Sequence, residues 1–282
     1  MQDEVTQAIV TAIEPQLVNV EQQRARRKPT DNLDAWECYQ RGLWHMFSYS
    51  NPEQGIHYFE RAIELDPEFS SPYSGLAYTY AIRMLLGASP DREDDLQRGL
   101  TAADTALRLD STDSFAHFAR GRISIFNGET GRAISEFECA IALNPNYALA
   151  HFGLAHGLWH AGRPVEALPH HDEAIRLSPN DTILWAFLAS KAIALVMVER
   201  TEQGVQTSRD AQRHGDFHLF SHLGEVSGLG LLQRHEEANR ALARLKKVEP
   251  TISIDFLEYS LPMPASAAKN RFIDGLKLAG LA

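Results

Sequence analysis

The residues best suited to chemistry in this 282-residue chain are its 12 histidines, which can bind metals and transfer protons near neutral pH. His156 and His160 stand four residues apart, and a second series with the same spacing runs from His214 to His222. Zinc requires three or four converging ligands. His156 lacks the adjacent glutamate of a metalloprotease helix, and a predicted turn at 215–216 interrupts the second series. The sequence therefore predicts neither a metal site nor a cofactor.

No motif for nucleophilic catalysis or nucleotide binding accompanies the histidines. The chain contains no G-x-S-x-G elbow, no P-loop, and no G-x-G-x-x-G after a strand. The carboxylates Glu166, Asp172 and Glu173 fall on helix faces that we expect to be solvated. The sequence thus predicts a protein without enzymatic activity.

The pair His156 and His160 lies in a stretch, Ser114 to Asp181, whose two halves repeat at an offset of 34 residues. Each half predicts a helix, a glycine-containing turn and a second helix, and a helix pair at this period is the unit of an α-solenoid. The matched pairs are His117 and His151, Gly121 and Ala155, Ala133 and Ala167, Ala140 and Ala174, and Pro145 and Pro179. The predicted helices are Ser114 to Asn127, Arg132 to Leu143, Leu149 to Ala161, and Pro164 to Leu177.

These positions resemble those of the tetratricopeptide repeat. The motifs are Tyr73-x-x-Leu76-Ala77-x-x-Tyr80, Ala133-x-x-x-Phe137-x-x-Ala140-x-x-x-x-Pro145, and Trp185-x-x-Leu188-Ala189. The resemblance implies an all-α, right-handed superhelix of about six helix-turn-helix units, with an amino-terminal helix and a carboxyl-terminal capping helix. It also implies a regulatory protein-interaction function with a protein or peptide partner.

The same spacing predicts the domain organisation. An amino-terminal amphipathic helix over 1–28 precedes an array over 33–252, and a capping segment follows at 253–282. The predicted units are about 33–69, 70–113, 114–147, 148–181, 182–218 and 219–252. Outside the matched stretch, predicted helices include Leu33 to Tyr49, Pro52 to Leu65, Asp95 to Leu109, Glu202 to His214, and Ala267 to Leu278.

In this family one face of each unit's first helix lines a concave groove. That surface is aromatic and apolar here, so the resemblance implies an apolar or amphipathic protein segment as the ligand. Of the predicted groove residues, only Arg122 could bind the terminal carboxylate of a peptide. Alternatively, these side chains fill the superhelix interior or are covered by the amino-terminal helix. The predicted groove residues are Phe115, Phe118, Arg122, Phe126, Phe152, His156, Trp159, His160, Ile183, Ala186, Ser190 and Ile193.

Composition narrows the choice of partner and compartment. The net charge of −10 argues against nucleic acid as the main ligand. The basic run Arg24 to Lys28 is typical of a helix carboxyl end, with a nucleic-acid or anionic-lipid patch as the alternative.

The sequence offers no apolar run of membrane-spanning length. Cys38 and Cys139 fall in helical patterns and are predicted to be core residues in a reducing compartment, so we expect a cytoplasmic protein.

The first predicted helix, Asp3 to Arg27, has an apolar stripe at helical spacing and a predicted bend at Pro15. Such a stripe must be buried. We expect it to pack on the first repeat or to mediate self-association.

The opening of the chain also resembles a bacterial group in which a tetratricopeptide array follows a class III adenylate or guanylate cyclase domain, or a winged-helix DNA-binding domain. The resemblance is carried by the segments Gln2 to Val10, Arg24 to Pro29, and Asn32 to Trp44. As an alternative function, it implies the sensory portion of such a regulator. The cyclase's metal-binding carboxylates and the winged helix are absent from this sequence, so neither activity is implied for it.

Overall fold

The computed structural model of the protein describes residues 34–49, 51–215, 218–261 and 263–282. The predicted amino-terminal helix and the basic run lie outside these residues. The described chain forms fourteen α-helices and no strands, as the fold class predicts. The helices are α1 (Ala35–Ser48), α2 (Pro52–Leu65), α3 (Ser70–Leu85), α4 (Arg92–Leu109), α5 (Ser114–Phe126), α6 (Thr130–Leu143), α7 (Ala148–His160), α8 (Pro164–Leu177), α9 (Leu184–Met197), α10 (Thr201–Gly215), α11 (Phe220–Leu231), α12 (His235–Val248), α13 (Ile254–Ser260) and α14 (Ala267–Leu278).

The described residues fall into two compact units. The amino-terminal unit lies within Met1–Gly153 and includes Leu177–Thr182, whereas the carboxyl-terminal unit comprises Leu154–Arg176 and Ile183–Ala282. Within each unit, odd-numbered helices from α1 to α11 are the first helices of the pairs, and even-numbered helices from α2 to α12 are the second helices.

Local capping explains where the helices depart from their predicted bounds. Helix α4 begins at Arg92 rather than Asp95, because the Asp91 carboxylate accepts hydrogen bonds from the backbone N–H groups of Glu93 and Asp94, each at 3.1 Å. Helix α13 was not predicted. Its start is fixed by the Ser253 hydroxyl, which accepts from the N–H of Phe256 at 3.1 Å.

Small residues let a phenylalanine from a second helix enter between two first helices. In the amino-terminal unit, the buried Phe137 of α6 lies between Gly121 of α5 and Gly153 of α7, and a β-carbon at Gly121 would approach its ring to 2.6 Å. The ring of Phe59 occupies the same position between Gly42 and Gly75. Close packing therefore explains why small residues recur at these positions.

In the carboxyl-terminal unit, α14 packs against the first helix α11. The Ser227 hydroxyl donates a hydrogen bond of 2.7 Å to the carbonyl of Phe272, and Gly230 and Gly275 are in backbone contact. A side chain at either glycine would collide with the opposite helix, so this approach requires glycine on both sides.

The outer faces of the second helices are charged. Arg61 pairs with Glu64 at 2.8 Å in the amino-terminal unit, and Arg176 pairs with Glu173 at 2.6 Å in the carboxyl-terminal unit. Exposed pairs at this spacing contribute only about 0.2–0.5 kcal/mol, so they mark solvent-facing surfaces rather than sources of stability. Among the described helices, none combines the length and apolar character needed to cross a membrane.

Candidate functional site

The twelve side chains predicted to line a groove are largely withdrawn from solvent. Phe115 on α5 is half-buried, and the other eleven are buried. Ile183 precedes α9 and occupies its amino-terminal cap position rather than a place within the helix. The eleven buried side chains belong to the packing of the helices, and the groove stays a prediction.

In the amino-terminal unit, Arg122 connects three successive first helices. Its guanidinium carbon lies 5.7 Å from the ring centre of Tyr78 on α3 and 5.6 Å from that of Phe152 on α7. Only 1% of Arg122 is exposed. A cation over an aromatic ring is stabilising by about 2 kcal/mol when it is desolvated. Arg122 is therefore held by neighbouring rings and is not presented to solvent as a carboxylate clamp.

Tyrosines that were not among the predicted groove residues extend this cluster. The hydroxyls of Tyr49 and Tyr78 lie 2.6 Å apart, and burial raises the pKa of both phenols. Both phenols are therefore neutral at physiological pH, so their mutual hydrogen bond persists.

The cluster also includes two partly exposed aromatic side chains, Phe115 and Tyr147. Phe118 is fully buried, and its ring centre lies 6.3 Å from that of Phe115 and 6.0 Å from that of Tyr147. Phe115 and Tyr147 are both half-buried. We call Phe115, Phe118 and Tyr147 the aromatic rim.

In the carboxyl-terminal unit, the predicted residues His156, Trp159, His160 and Ser190 come together. The indole N–H of Trp159 donates a hydrogen bond of 2.9 Å to the Ser190 hydroxyl, whose oxygen also lies 3.4 Å from Nε2 of His171 on α8. Trp159 and His160 stack with ring centres 4.2 Å apart. His171 falls within the predicted helix Pro164 to Leu177, but nothing in the sequence predicted its place in this network.

The buried imidazoles of this unit behave as neutral core rings. Burial lowers the pKa of His171 to about 3, with further contributions from the charges of Lys191 and His170. Burial also lowers the pKa of His218 to about 4, and its ring stacks on Trp185 at 3.8 Å. Within the described ranges, no group of three or more histidine, cysteine or acidic side chains is placed to hold a metal ion.

The two cysteines differ from each other in environment. Cys38 is buried on α1, as predicted, and burial raises the pKa of its thiol. The prediction of a core position was wrong for Cys139, which is exposed on α6. The adjacent Ala140 faces the core instead, and neighbouring positions on a helix point in different directions.

Comparison with known proteins identifies the repeat. Residues 118–182 match the family model described as "Tetratricopeptide repeat". The chain is 22% identical over 183 residues to the DnaJ homolog subfamily C member 7 homolog of Schizosaccharomyces pombe, a match that covers 60% of this chain and 37% of the relative. It is 24% identical over 159 residues to human Tetratricopeptide repeat protein 6, covering 55% and 28%. The chain thus spans well under half the length of either relative.

Solved structures show the same fold. The APC/C hetero-tetramer Cut9-Hcn1 aligns with a TM-score of 0.66 and 15% identity, over 90% of this chain and 47% of that one. PilF of Pseudomonas aeruginosa aligns with a TM-score of 0.54 and 18% identity, over 80% and 96%. The chain therefore has the α-solenoid fold of a tetratricopeptide repeat protein, and such repeats are protein-interaction modules.

Proposed function

We propose that this protein binds an apolar or amphipathic segment of a partner protein along its first helices, and that the aromatic rim is part of the contact. The observation that carries the proposal is the continuity of three rings, of which Phe118 is buried while Phe115 and Tyr147 remain partly open to solvent. Aromatic anchors backed by a packed core are the residues that usually dominate binding energy.

The second helices of the amino-terminal unit offer no comparable surface among the described residues. Their exposed large apolar side chains, Leu65 and Leu143, are single residues on different helices. Isolated exposed apolar residues are common on soluble proteins and do not indicate a binding site.

The state of Arg122 supports an apolar rather than an acidic ligand for this face. Its guanidinium is buried against Tyr78 and Phe152, so it does not offer an accessible charge to a carboxylate. Binding dominated by apolar burial depends only weakly on salt, because few exposed charges are brought together. We therefore expect the affinity to change little with ionic strength.

A displayed library of random peptides, panned on the immobilised full chain, tests the proposal. We expect enrichment of segments with aromatic or aliphatic anchors, and binding of a selected peptide should weaken at least tenfold in Phe115→Ala/Tyr147→Ala. Leu143→Ala is the matched control, since it truncates an exposed apolar side chain on a second helix of the same unit. A folded double variant that binds as tightly as the wild type would place the site elsewhere.

A further inference from the structure

A basic pocket lies in the carboxyl-terminal unit, and none of its lining residues belongs to the aromatic rim. Its volume is about 440 Å³, and it is formed by α10, α11 and α12. Four of its seven lining residues are cationic and none is acidic: Arg209 and Arg213 on α10, and Arg244 and Lys247 on α12. Gln212 and His222 add polar groups to the wall.

A buried carboxylate behind the wall organises the arginines. Glu225 on α11 is only 2% exposed, and it accepts hydrogen bonds from Arg209 at 2.8 Å, Arg244 at 2.7 Å and Gln212 at 2.9 Å. Burial opposes its ionisation, but these hydrogen bonds outweigh that effect and lower the pKa of the Glu225 carboxyl. The ionised carboxylate fixes guanidinium groups from two helices side by side.

The net charge of the pocket is positive even when the carboxylates paired with its arginines are included. Arg209 also donates to Glu237 at 3.1 Å, and Arg213 pairs with Asp210. With Glu225, three carboxylates thus face four cations. Lys247 is exposed and makes no ion pair within the described part of the chain. A local positive excess in a chain of net charge −10 is a feature that the overall composition does not explain.

We propose that this pocket binds a carboxylate or phosphate group on an acidic segment of a protein partner. Guanidinium groups present fixed forks of N–H donors that match both oxyanions, and Glu225 uses only part of the donors of Arg209 and Arg244. A volume of 440 Å³ accommodates a side chain or two rather than an extended strand. A protein is the fitting source of the anion, because the fold is that of a protein-interaction module.

Basic residues near helix carboxyl ends also interact favourably with the helix dipole, and that role alone would explain a single lysine or arginine. It does not explain why arginines from α10 and α12 converge on one buried carboxylate. Pre-organisation of this kind reduces the entropic cost of binding an anion.

The pocket and the aromatic rim differ in the chemistry that they offer. Binding at the pocket should weaken as salt is added, since it depends on charges near the surface. Binding at the rim should not. The proposal therefore does not rest on the rim, and each can fail without the other.

Fluorescence anisotropy on the full chain tests the proposal. The probes are a labelled glutamate-rich peptide and the same peptide carrying one phosphoserine, and inorganic phosphate is added as a competitor. We expect the peptide to bind in low salt and to be released as salt or phosphate is added. Lys247→Gln and Arg244→Gln should each weaken binding about tenfold, the loss of one charge-assisted hydrogen bond. Lys246→Gln, which removes the same charge one position outside the pocket lining, should leave the affinity unchanged.

Arg244→Gln also removes a partner of Glu225, so Lys247→Gln provides the variant whose fold is not at stake, because Lys247 is exposed. Phe115→Ala/Tyr147→Ala should retain full affinity for the acidic peptide. The proposal is overturned if the wild type binds neither peptide, or if Lys246→Gln loses as much affinity as Lys247→Gln. Sedimentation with vesicles rich in phosphatidylserine, without binding of either peptide, would overturn the assignment to a protein partner.

Discussion

The indole N–H of Trp159 on α7 donates its hydrogen bond to the hydroxyl of Ser190 on α9, and both side chains are buried. In Ser190→Ala the indole keeps its position but loses its acceptor. A buried donor without a partner costs about 1–3 kcal/mol, so we expect the free energy of unfolding to fall by that amount. Urea denaturation followed by Trp fluorescence measures the change.

Ser135→Ala is the control for this substitution. Its hydroxyl lies on an exposed helix face and donates only to the carbonyl of Gly131 in its own helix. The free energy of unfolding should change by less than about 0.5 kcal/mol. If Ser190→Ala were equally neutral, the hydrogen bond to Trp159 would contribute nothing to stability.

Two Gly→Ala substitutions should have opposite effects. At Gly121 the new β-carbon would lie 2.6 Å from the ring of the fully buried Phe137, and overpacking of this kind costs about 1–3 kcal/mol. At Gly131, within α6, nothing lies within 4 Å of the new atom, so the better helix propensity of alanine should stabilise the protein by about 0.5–1 kcal/mol. Thermal unfolding of both variants measures these differences, and equal melting temperatures would contradict the packing.

Stability should decrease as the pH falls from 6.5 toward 4. The folded protein holds the pKa of His218 at about 4, whereas an unfolded histidine titrates near 6.5. Between these values the unfolded chain binds more protons, so acid favours unfolding, and this stability is present in full only above pH 6.5. His171, with a pKa of about 3, acts in the same direction. At pH 5 each should contribute a loss of about 1–2 kcal/mol.

His218→Phe isolates the contribution of one ring, because phenylalanine can stack on Trp185 without taking up a proton. Urea midpoints at pH 7.5 and pH 5 should differ less in this variant than in the wild type. Ser135→Ala, which removes no titratable group, should keep the pH dependence of the wild type. An unchanged slope in His218→Phe would show that this imidazole is protonated equally in both states.

The amino-terminal helix predicted over Asp3 to Arg27 lies outside the described residues, and its role stays a prediction. Burial of its apolar stripe, on the first repeat or on another copy, should raise either the thermal stability or the mass of the protein. Analytical ultracentrifugation and thermal unfolding of chains that begin at Gln2 and at Asp31 test this. Equal mass and equal melting temperature would contradict it.

The repeat made the helix pairs predictable, because small residues and prolines stand where helices must approach or end. The starts of α4 and α13 were not predictable from that pattern, since they depend on the single capping side chains of Asp91 and Ser253. Burial of Cys139 was predicted from its helical context alone, which does not decide between neighbouring faces.

Some of the side-chain contacts among the predicted groove residues followed from the sequence, whereas the groove itself stays a prediction. Assigning residues to one face of the first helices grouped His156, Trp159 and Ser190, and these side chains lie in one network. How deeply they are buried depends on contacts with other helices, which the spacing along one helix does not reveal. The basic pocket was missed because each arginine alone resembles a solvated residue. A signal was present: Arg209 and Arg244 are 35 residues apart, close to the repeat period, so they lie at matching places on neighbouring second helices.

The backbone contact between Gly230 and Gly275 has a consequence for how this protein can evolve. A helical repeat array changes length when a helix pair is added or lost. A pair added at the carboxyl end must stack on the first helix of the final pair. Here α14 occupies that position on α11, at a distance that only glycine permits on both sides. A helix pair inserted after α12 would have to displace α14, so changes in repeat number are easier to accommodate upstream of α11.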